Sequence, residues 1–377
     1  MKYFDFAATC PLDQEAAAAY VKAATEFFGN SQSLHDIGGN AASLLEHCRL
    51  TLAKLLGVYS EGIYFTSGGS ESNFLTLQNL LSLRQKSGNH IISSMAEHTS
   101  IHSTIELLKQ NGYKVTLLPL NKEGEINVSQ LLEVIQEDTV LISIQHCNSE
   151  IGTIQPLLEI RDICNREGIL LHSDLVQSFG KLDIKEVSSV VDSFSLSAHK
   201  IYGPKGVGIA YLNPKNGWKS YYPSTTHEKG FRPGTIDVPG IVAMTIAAEK
   251  AISHLNKHTE HYQMLRNLFL EQLKPQNEKF IIYGTNDPFK QNLSIVGLRI
   301  KGIEGQWVML ECNRKGYAIS TGSACQVGSM NPSKTMVALG VYEKEAKEFI
   351  RVSFGRDTSK EDVVGLAQTL LELASSS

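Results

Sequence analysis

The chain has 377 residues, of which 42% are hydrophobic and 20% charged, and a formal net charge of −4. This is the balance of a soluble protein long enough for two domains, without the basic footprint of a nucleic-acid binder. Residues 1–6 lack the apolar core of a signal peptide, and no apolar run is long enough to span a bilayer, so a cytoplasmic protein with no membrane or nucleic-acid partner is expected.

From residue 62 to 212, short β-rich runs alternate with amphipathic stretches. The pattern predicts a strand over 63–65, a helix over 71–86, a strand over 90–94 and a helix over 99–110. Strands over 115–118 and 140–145 follow, then a helix over 157–167 and a strand over 169–172. Strands near 190–196 and 206–212 close the series. Such alternation implies an α/β fold with a mostly parallel central sheet flanked by helices. Beyond Thr235 the pattern changes to helices over 238–255 and 260–273. Strands near 280–283 and 293–300, a helix over 306–314, a strand over 349–354 and a last helix from Lys360 complete the chain. The expected division is a large domain over 15–255 and a smaller α+β domain over 256–377, with residues 1–14 packing near the latter. The hinge is expected between about Lys250 and Lys257.

Lys200 stands in Ser197-Ala198-His199-Lys200-Ile201-Tyr202-Gly203-Pro204-Lys205-Gly206, at the expected end of a strand with a Gly/Pro turn behind it. Alone it reads as a surface lysine beside a turn; with a lowered pKa it could form a Schiff base with an aldehyde. Asp174, in His172-Ser173-Asp174-Leu175-Val176-Gln177, could cap a helix, ligate a metal or face a cationic ring nitrogen. Gln177 could then donate to a phenolic oxygen on the same ring. Ser67-Gly68-Gly69-Ser70 joins a strand to a helix, where bare N–H groups and a hydroxyl suit a phosphate, although taken alone the signal is weak and an ordinary capped turn explains it better. His98 and His102 lie four apart, but no third ligand is evident and no metal is expected. His98 reads as a structural imidazole or as one stacked on a cofactor ring and moving protons.

Six cysteines are present, with no C-x-x-C pair among them. Five are expected to be small buried apolar groups. Cys325 is different: Gly322-Ser323-Ala324-Cys325-Gln326-Val327-Gly328-Ser329 is a run of small residues that reads as a mobile loop. A thiol there is either incidental or a carrier that reaches in to attack and swings out to deliver.

Taken together and in this order, these motifs resemble the class I cysteine desulfurases, within the fold-type I pyridoxal-phosphate enzymes related to aspartate aminotransferase. The likeness runs from Phe4-Asp5-Phe6-Ala7-Ala8-Thr9 to Ile350-Arg351-Val352-Ser353-Phe354-Gly355-Arg356. It implies pyridoxal 5′-phosphate as cofactor, L-cysteine as substrate, and a persulfide on Cys325 destined for an acceptor protein, an iron–sulfur scaffold or another target enzyme. Lys200 would hold the cofactor and move the proton, Asp174 would pair with the ring nitrogen, and Gln177 with the ring oxygen. His98 would stack on the ring. Gly69, Ser70, Ser197 and His199 would bind the phosphate, and Thr235 would reach the phosphate of a neighbouring subunit in a homodimer. Arg351 would take the substrate carboxylate, with Arg356 the alternative and Asn30 also near the substrate.

The chain departs from the family's pattern in several places. Ser149 stands where an asparagine usually contacts the ring oxygen. Ser224-Thr225-Thr226 replaces three glycines before His227-Glu228, Gly29-Asn30-Ser31-Gln32-Ser33 replaces Gly-Asn-Pro-Ser-Ser, and Cys10 replaces a threonine. These changes are expected to cluster at the mouth of the active site. The rival activities are a selenocysteine lyase, an aminotransferase, or a non-catalytic sulfur-relay scaffold of the same fold.

Overall fold

The computed structural model describes residues 1–83, 86–322 and 333–375. In chain order its strands are β1 (Lys2–Tyr3), β2 (Ile63–Thr66), β3 (His90–Ser94), β4 (Lys114–Leu118), β5 (Thr139–Ser143) and β6 (Leu170–Asp174). They continue with β7 (Ser193–Ser197), β8 (Gly208–Leu212), β9 (Phe280–Tyr283), β10 (Ile295–Ile300), β11 (Tyr317–Ala318) and β12 (Phe349–Ser353). Strands β2 to β8 form one sheet in the order β2-β8-β7-β6-β5-β3-β4. From β7 to β4 every neighbour is parallel. The expected parallel pattern stops at β8, which runs antiparallel to both β2 and β7.

Helices cover both faces, so β3, β5 and β7 are buried along their whole length. The crossover helix Thr99–Gln110 shows how local sequence makes this work. Ile101, Thr104, Ile105 and Leu108 fall on one buried stripe, and the His98 imidazole accepts the Ser100 N–H to cap the first turn. Each apolar side chain of that size contributes about 1.5–3 kcal/mol when fully buried. The helix Leu157–Glu167 buries Leu157, Ile160, Ile163 and Cys164 and stops at Gly168, whose φ of 65° suits a residue without a Cβ. Both of these helices have the predicted bounds. The helix expected over 71–86 instead spans Gly69–Ser82. Two long helices, Gln14–Glu26 and Asp36–Leu56, had no counterpart in the sequence reading.

A buried ion pair locks the edge of this sheet. Arg49 holds Glu228 through both terminal nitrogens, at 3.0 and 2.9 Å, and also donates to the Ile63 carbonyl. Glu228 in turn accepts the Phe65 N–H at 2.7 Å. These bonds hold Glu228 at a φ of 46°.

The helices Val238–Ser253 and Leu255–Leu273 meet at His254, which breaks the run inside the segment expected to hinge. Beyond it lies an antiparallel sheet in the order β12-β10-β9. Its core joins Phe269, Leu298, Val352 and Leu370 with Phe4 from the chain start. β1 pairs parallel with β11, which places residues 2–4 on this second sheet's side of the molecule.

Candidate active site

In the large sheet the chain goes from β3 outward to β4, then returns to the other side of β3 as β5. Ligands of open α/β sheets bind at the carboxyl ends of strands beside such a reversal. A cavity of about 310 Å³ lies there, lined by residues that follow β3, β5, β6 and β7.

Lys200 is part of its wall. The strand expected to run to Lys200 ends earlier, at Ser197, and Ala198–Lys200 form a single 3-10 turn. Gly203 bonds back to the Ala198 carbonyl, so the chain has already left the sheet when Lys200 is reached. The Lys200 amine donates to the carbonyls of Ala7 and Ala8 at 2.6 and 2.8 Å. Residues of the N-terminal segment therefore close the cavity beneath it.

Asp174 ends β6 and is buried. One of its oxygens accepts the Val176 N–H at 2.9 Å and the other accepts Asn73 Nδ2 at 2.8 Å. Asn73, fully buried, also donates to Ser100 Oγ at 2.9 Å, and Ser100 Oγ lies 2.8 Å from His98 Nδ1. Because the Ser100 N–H also donates to His98 Nδ1, that nitrogen is an acceptor and the neutral ring carries its proton on Nε2. Asp174 and His98 are thus tied through one asparagine that the motif reading did not single out. Its signal was available: Asn73 lies four residues after Gly69, on the same face of the helix that begins there.

That helix opens onto the cavity with Gly69 and Ser70. Thr66 and Glu71 side chains take the N–H groups of Gly68 and Ser67. Those of Gly69 and Ser70 have no protein acceptor among the described residues. Gly68 has a φ of 143°, and a Cβ on neighbouring Gly208 would lie 2.5 Å from its Cα, so glycines make the tight passage. Ser197 and His199 also line the cavity. Burial, then the positive charges of Lys200, Lys181 and Lys205, lower His199 to about 4, so its ring is neutral at pH 7.

Arg351, on β12, lines the opposite wall and is buried. It donates to Asp5 at 2.6 Å and to the Ser149 carbonyl at 2.9 Å, while its Nε has no partner. Glu97 is also buried in the wall. Burial raises its carboxyl well above the usual range, outweighing the bond from the Gln145 N–H, and its Oε2 has no partner. Ser149 lines the cavity, whereas Asn148 is committed to the backbone of Glu150 and Ile151 and to Thr335. Gln177 lines it too, with its amide held between Ala7 and Lys181.

Three expected residues lie elsewhere. Arg356 lines a second, small cavity behind Lys200, bound to Asp13 and lying 4.1 Å over the Tyr202 ring. Asn30 is exposed on a turn where its side chain accepts the Gln32 N–H. Thr235 is exposed, beside Arg232 and Thr66 in a cavity of its own. The departures from the family pattern do not cluster as expected: Ser149 is in the main cavity, Cys10 in the small one, and Ser224, Thr225 and Thr226 in neither. Cys325 lies outside the described residues. The five described cysteines are buried and unpaired, and burial pushes each thiol up, to about 12 for Cys147, Cys164 and Cys312. No group of three or more His, Cys, Asp or Glu side chains is placed to hold a metal among the described residues.

The family model for class-V aminotransferases matches residues 2–366. The chain belongs to that family. Within it, the chain is 46% identical to the putative cysteine desulfurase NifS of Bacillus subtilis (strain 168), over 99% of this chain and 94% of that one. A solved NifS-like protein superposes over the whole of both chains with a TM-score of 0.91 at 29% identity. The structure titled SspA in complex with cysteine superposes with a TM-score of 0.78 at 30% identity, covering 94% of this class-V chain and 99% of that one. No helix among the described residues is long and apolar enough to cross a membrane.

Proposed function

We propose that the protein is a pyridoxal-phosphate-dependent cysteine desulfurase that converts L-cysteine to L-alanine and carries the sulfur as a persulfide on Cys325. The observation that carries this reading is the arrangement in one cavity of an amine (Lys200), a buried carboxylate (Asp174) and an open helix N-terminus (Gly69 and Ser70). These match in kind the aldehyde, the ring nitrogen and the phosphate of the cofactor. Asp174 is held by neutral donors only, and a carboxylate with spare lone pairs suits a protonated ring nitrogen. The relatives named for cysteine desulfuration support the substrate, as does the solved relative titled as a cysteine complex.

When bound, the cofactor supplies an electron sink for the pair released from the substrate's Cα–H bond. Lys200 Nζ removes that proton. Asp174 keeps the ring nitrogen charged, and Gly69, Ser70, Ser197 and His199 hold the phosphate. Gln177 and Ser149, which line the cavity, would hold the ring oxygen, and His98 would offer Nε2 for proton transfer. Arg351, which lines the cavity, holds the substrate carboxylate, a pairing suited to a guanidinium. The Cys325 thiolate attacks the substrate sulfur and the C–S bond breaks with its electrons on carbon. Protonation of that carbon gives alanine, and the added sulfur stays on Cys325 as a persulfide for an acceptor protein. Thr235, exposed and outside this chain's cavity, is assigned to the phosphate of the second subunit in a homodimer. Unpaired thiols throughout the described residues suit the reducing cytoplasm.

The test is paired. Lys200→Ala should lose the visible band of the bound cofactor, and alanine production should fall by at least about 10²–10⁴-fold. Cys325→Ser should keep the band and still exchange the α-proton, but form no persulfide. Persulfide mapped to one of the buried cysteines would move the carrier role away from Cys325.

A further inference from the structure

We propose that Lys181 is a positioning residue for the cofactor site: it grips the oxygen end of the Gln177 amide, so that the nitrogen end faces the cavity as a donor. The proposal rests on reading the cavity as a pyridoxal-phosphate site.

Gln177 stands between two neighbours that leave its amide one orientation. Lys181 Nζ donates to Oε1 at 3.1 Å, and Nε2 donates to the Ala7 carbonyl at 2.9 Å. An ammonium only donates and a carbonyl only accepts. A flipped amide would set N–H groups against the ammonium and oxygen against the carbonyl, losing both bonds. One N–H of Nε2 is used by Ala7. The other has no protein acceptor among the described residues, and Gln177 lines the cavity. The same Ala7 carbonyl accepts Lys200 Nζ at 2.6 Å, so the oriented amide sits directly beside the reactive amine.

Lys181 itself is hard to account for as a surface lysine. It is partly buried and lines the small cavity behind Lys200, together with Arg356. No carboxylate lies within ion-pair distance of it among the described residues. Its electrostatic neighbours are the thiols of Cys10 and Cys147 and the Arg351 guanidinium, and burial lowers the pKa of its amine. A cation placed among cations gains no ion pair; what it gains is the neutral oxygen of Gln177. The spacing helps: Gln177 and Lys181 are four residues apart in a tight turn in which Lys181 N–H bonds the Ser178 carbonyl.

The test uses the holoenzyme, with Lys181→Met, Lys181→Arg and Gln177→Ala, singly and combined. The readouts are the absorption band of the bound cofactor, its pH dependence, and the cofactor Kd, with the melting temperature of the cofactor-free protein measured alongside. Lys181→Met should raise the Kd by about 2–10-fold, the value of one hydrogen bond, and displace the band. Lys181→Arg, which keeps a donor, should stay near the parent. In the Gln177→Ala background, Lys181→Met should add nothing. If the effect of Lys181→Met is the same with and without Gln177, or if only the melting temperature moves, the amide is not its route and the proposal fails. Should Lys181→Met not fold, Lys181→Arg against Lys181→Ala carries the same comparison. Absence of a Lys200-dependent band from the parent protein sinks the cofactor reading as well; a normal parent band that ignores Lys181 sinks this proposal alone.

Discussion

Lys200 separates two cavities that share it and little else. In front is a space of about 310 Å³, bounded by Asp174, Arg351 and a helix N-terminus. Behind is a gap of about 10 Å³, room for no more than about one water, packed with Phe6, Tyr202, Tyr262 and Phe354. Each contains an arginine from one short stretch of chain: Arg351 in the middle of β12 and Arg356 three residues beyond its end. In the front cavity Arg351 has an unpaired Nε. In the rear one, Arg356 is held by Asp13, the Tyr202 ring and its own neighbour Asp357. Residue type and chain position alone do not separate a binding guanidinium from a structural one. What separates them is the space each side chain lines after folding: about 310 Å³ for Arg351 and about 10 Å³ for Arg356.

The contrast can be broken by exchanging the two effects. Arg356→Ala should act on stability. It leaves buried Asp13 with Lys250 as its remaining charged partner at 3.0 Å, and should cost about 2–3 kcal/mol in chemical denaturation, with KM for cysteine unchanged. Arg351→Ala should act on binding. Loss of charged hydrogen bonds worth about 1.5–3 kcal/mol should raise KM for cysteine by roughly 10–100-fold. If Arg356→Ala raises KM and Arg351→Ala does not, the assignment of the two cavities is reversed.

Two smaller effects sharpen the comparison. In the front cavity, Ser149→Asn should add a contact to the bound cofactor and tighten it by about 0.5–1.5 kcal/mol, read as a lower Kd or a shifted band. An unchanged affinity and spectrum would remove Ser149 from the ring oxygen. In the rear region, burial alone would raise the Asp13 carboxyl. Arg356, Lys250 and the N–H groups of Ala16 and Glu15 outweigh it and hold the carboxyl at about 2. A depressed carboxyl stabilises above its unfolded pKa and loses that contribution as the pH falls through its folded one. Stability should therefore decline between about pH 4 and pH 2, by below about 1 kcal/mol from this group after solvent screening. Asp13→Asn should flatten that limb; an unaltered acid profile would show that other carboxylates control it.

Much of the architecture was legible before folding. Periodicity located the alternating strands and helices because the crossover helices show an apolar stripe and the strands short β-rich runs, although buried β7 alternates serines with Phe194 and Leu196. The helix Asp36–Leu56 was missed although its ends are ordinary: His35 caps it and Gly57, with a φ of 71°, stops it. Its start, Ile37-Gly38-Gly39-Asn40, does not look helical, and only packing against the helix Val238–Ser253 and the pairing of Arg49 with Glu228 make it so. The antiparallel course of β8 was likewise unreadable, since a buried strand has the same composition in either direction.

For the site, the sequence by itself determined the chemical inventory. Type and place next to a strand end or helix start singled out Lys200, Asp174, His98 and Gln177 as candidates, and the resemblance added Arg351, which lies inside β12. The tertiary structure alone decided which candidates share a cavity and how each is held. Arg356 is five residues from Arg351, yet faces a different space. Asn73 joins Asp174 to His98 across 101 residues on one side and, through Ser100, 27 on the other. Lys181 lies behind Gln177 in a turn whose sequence shows no charge partner. The physical reason is that a side chain's role depends on its unsatisfied hydrogen bonds, and these exist only after every other donor and acceptor has found its partner in the fold.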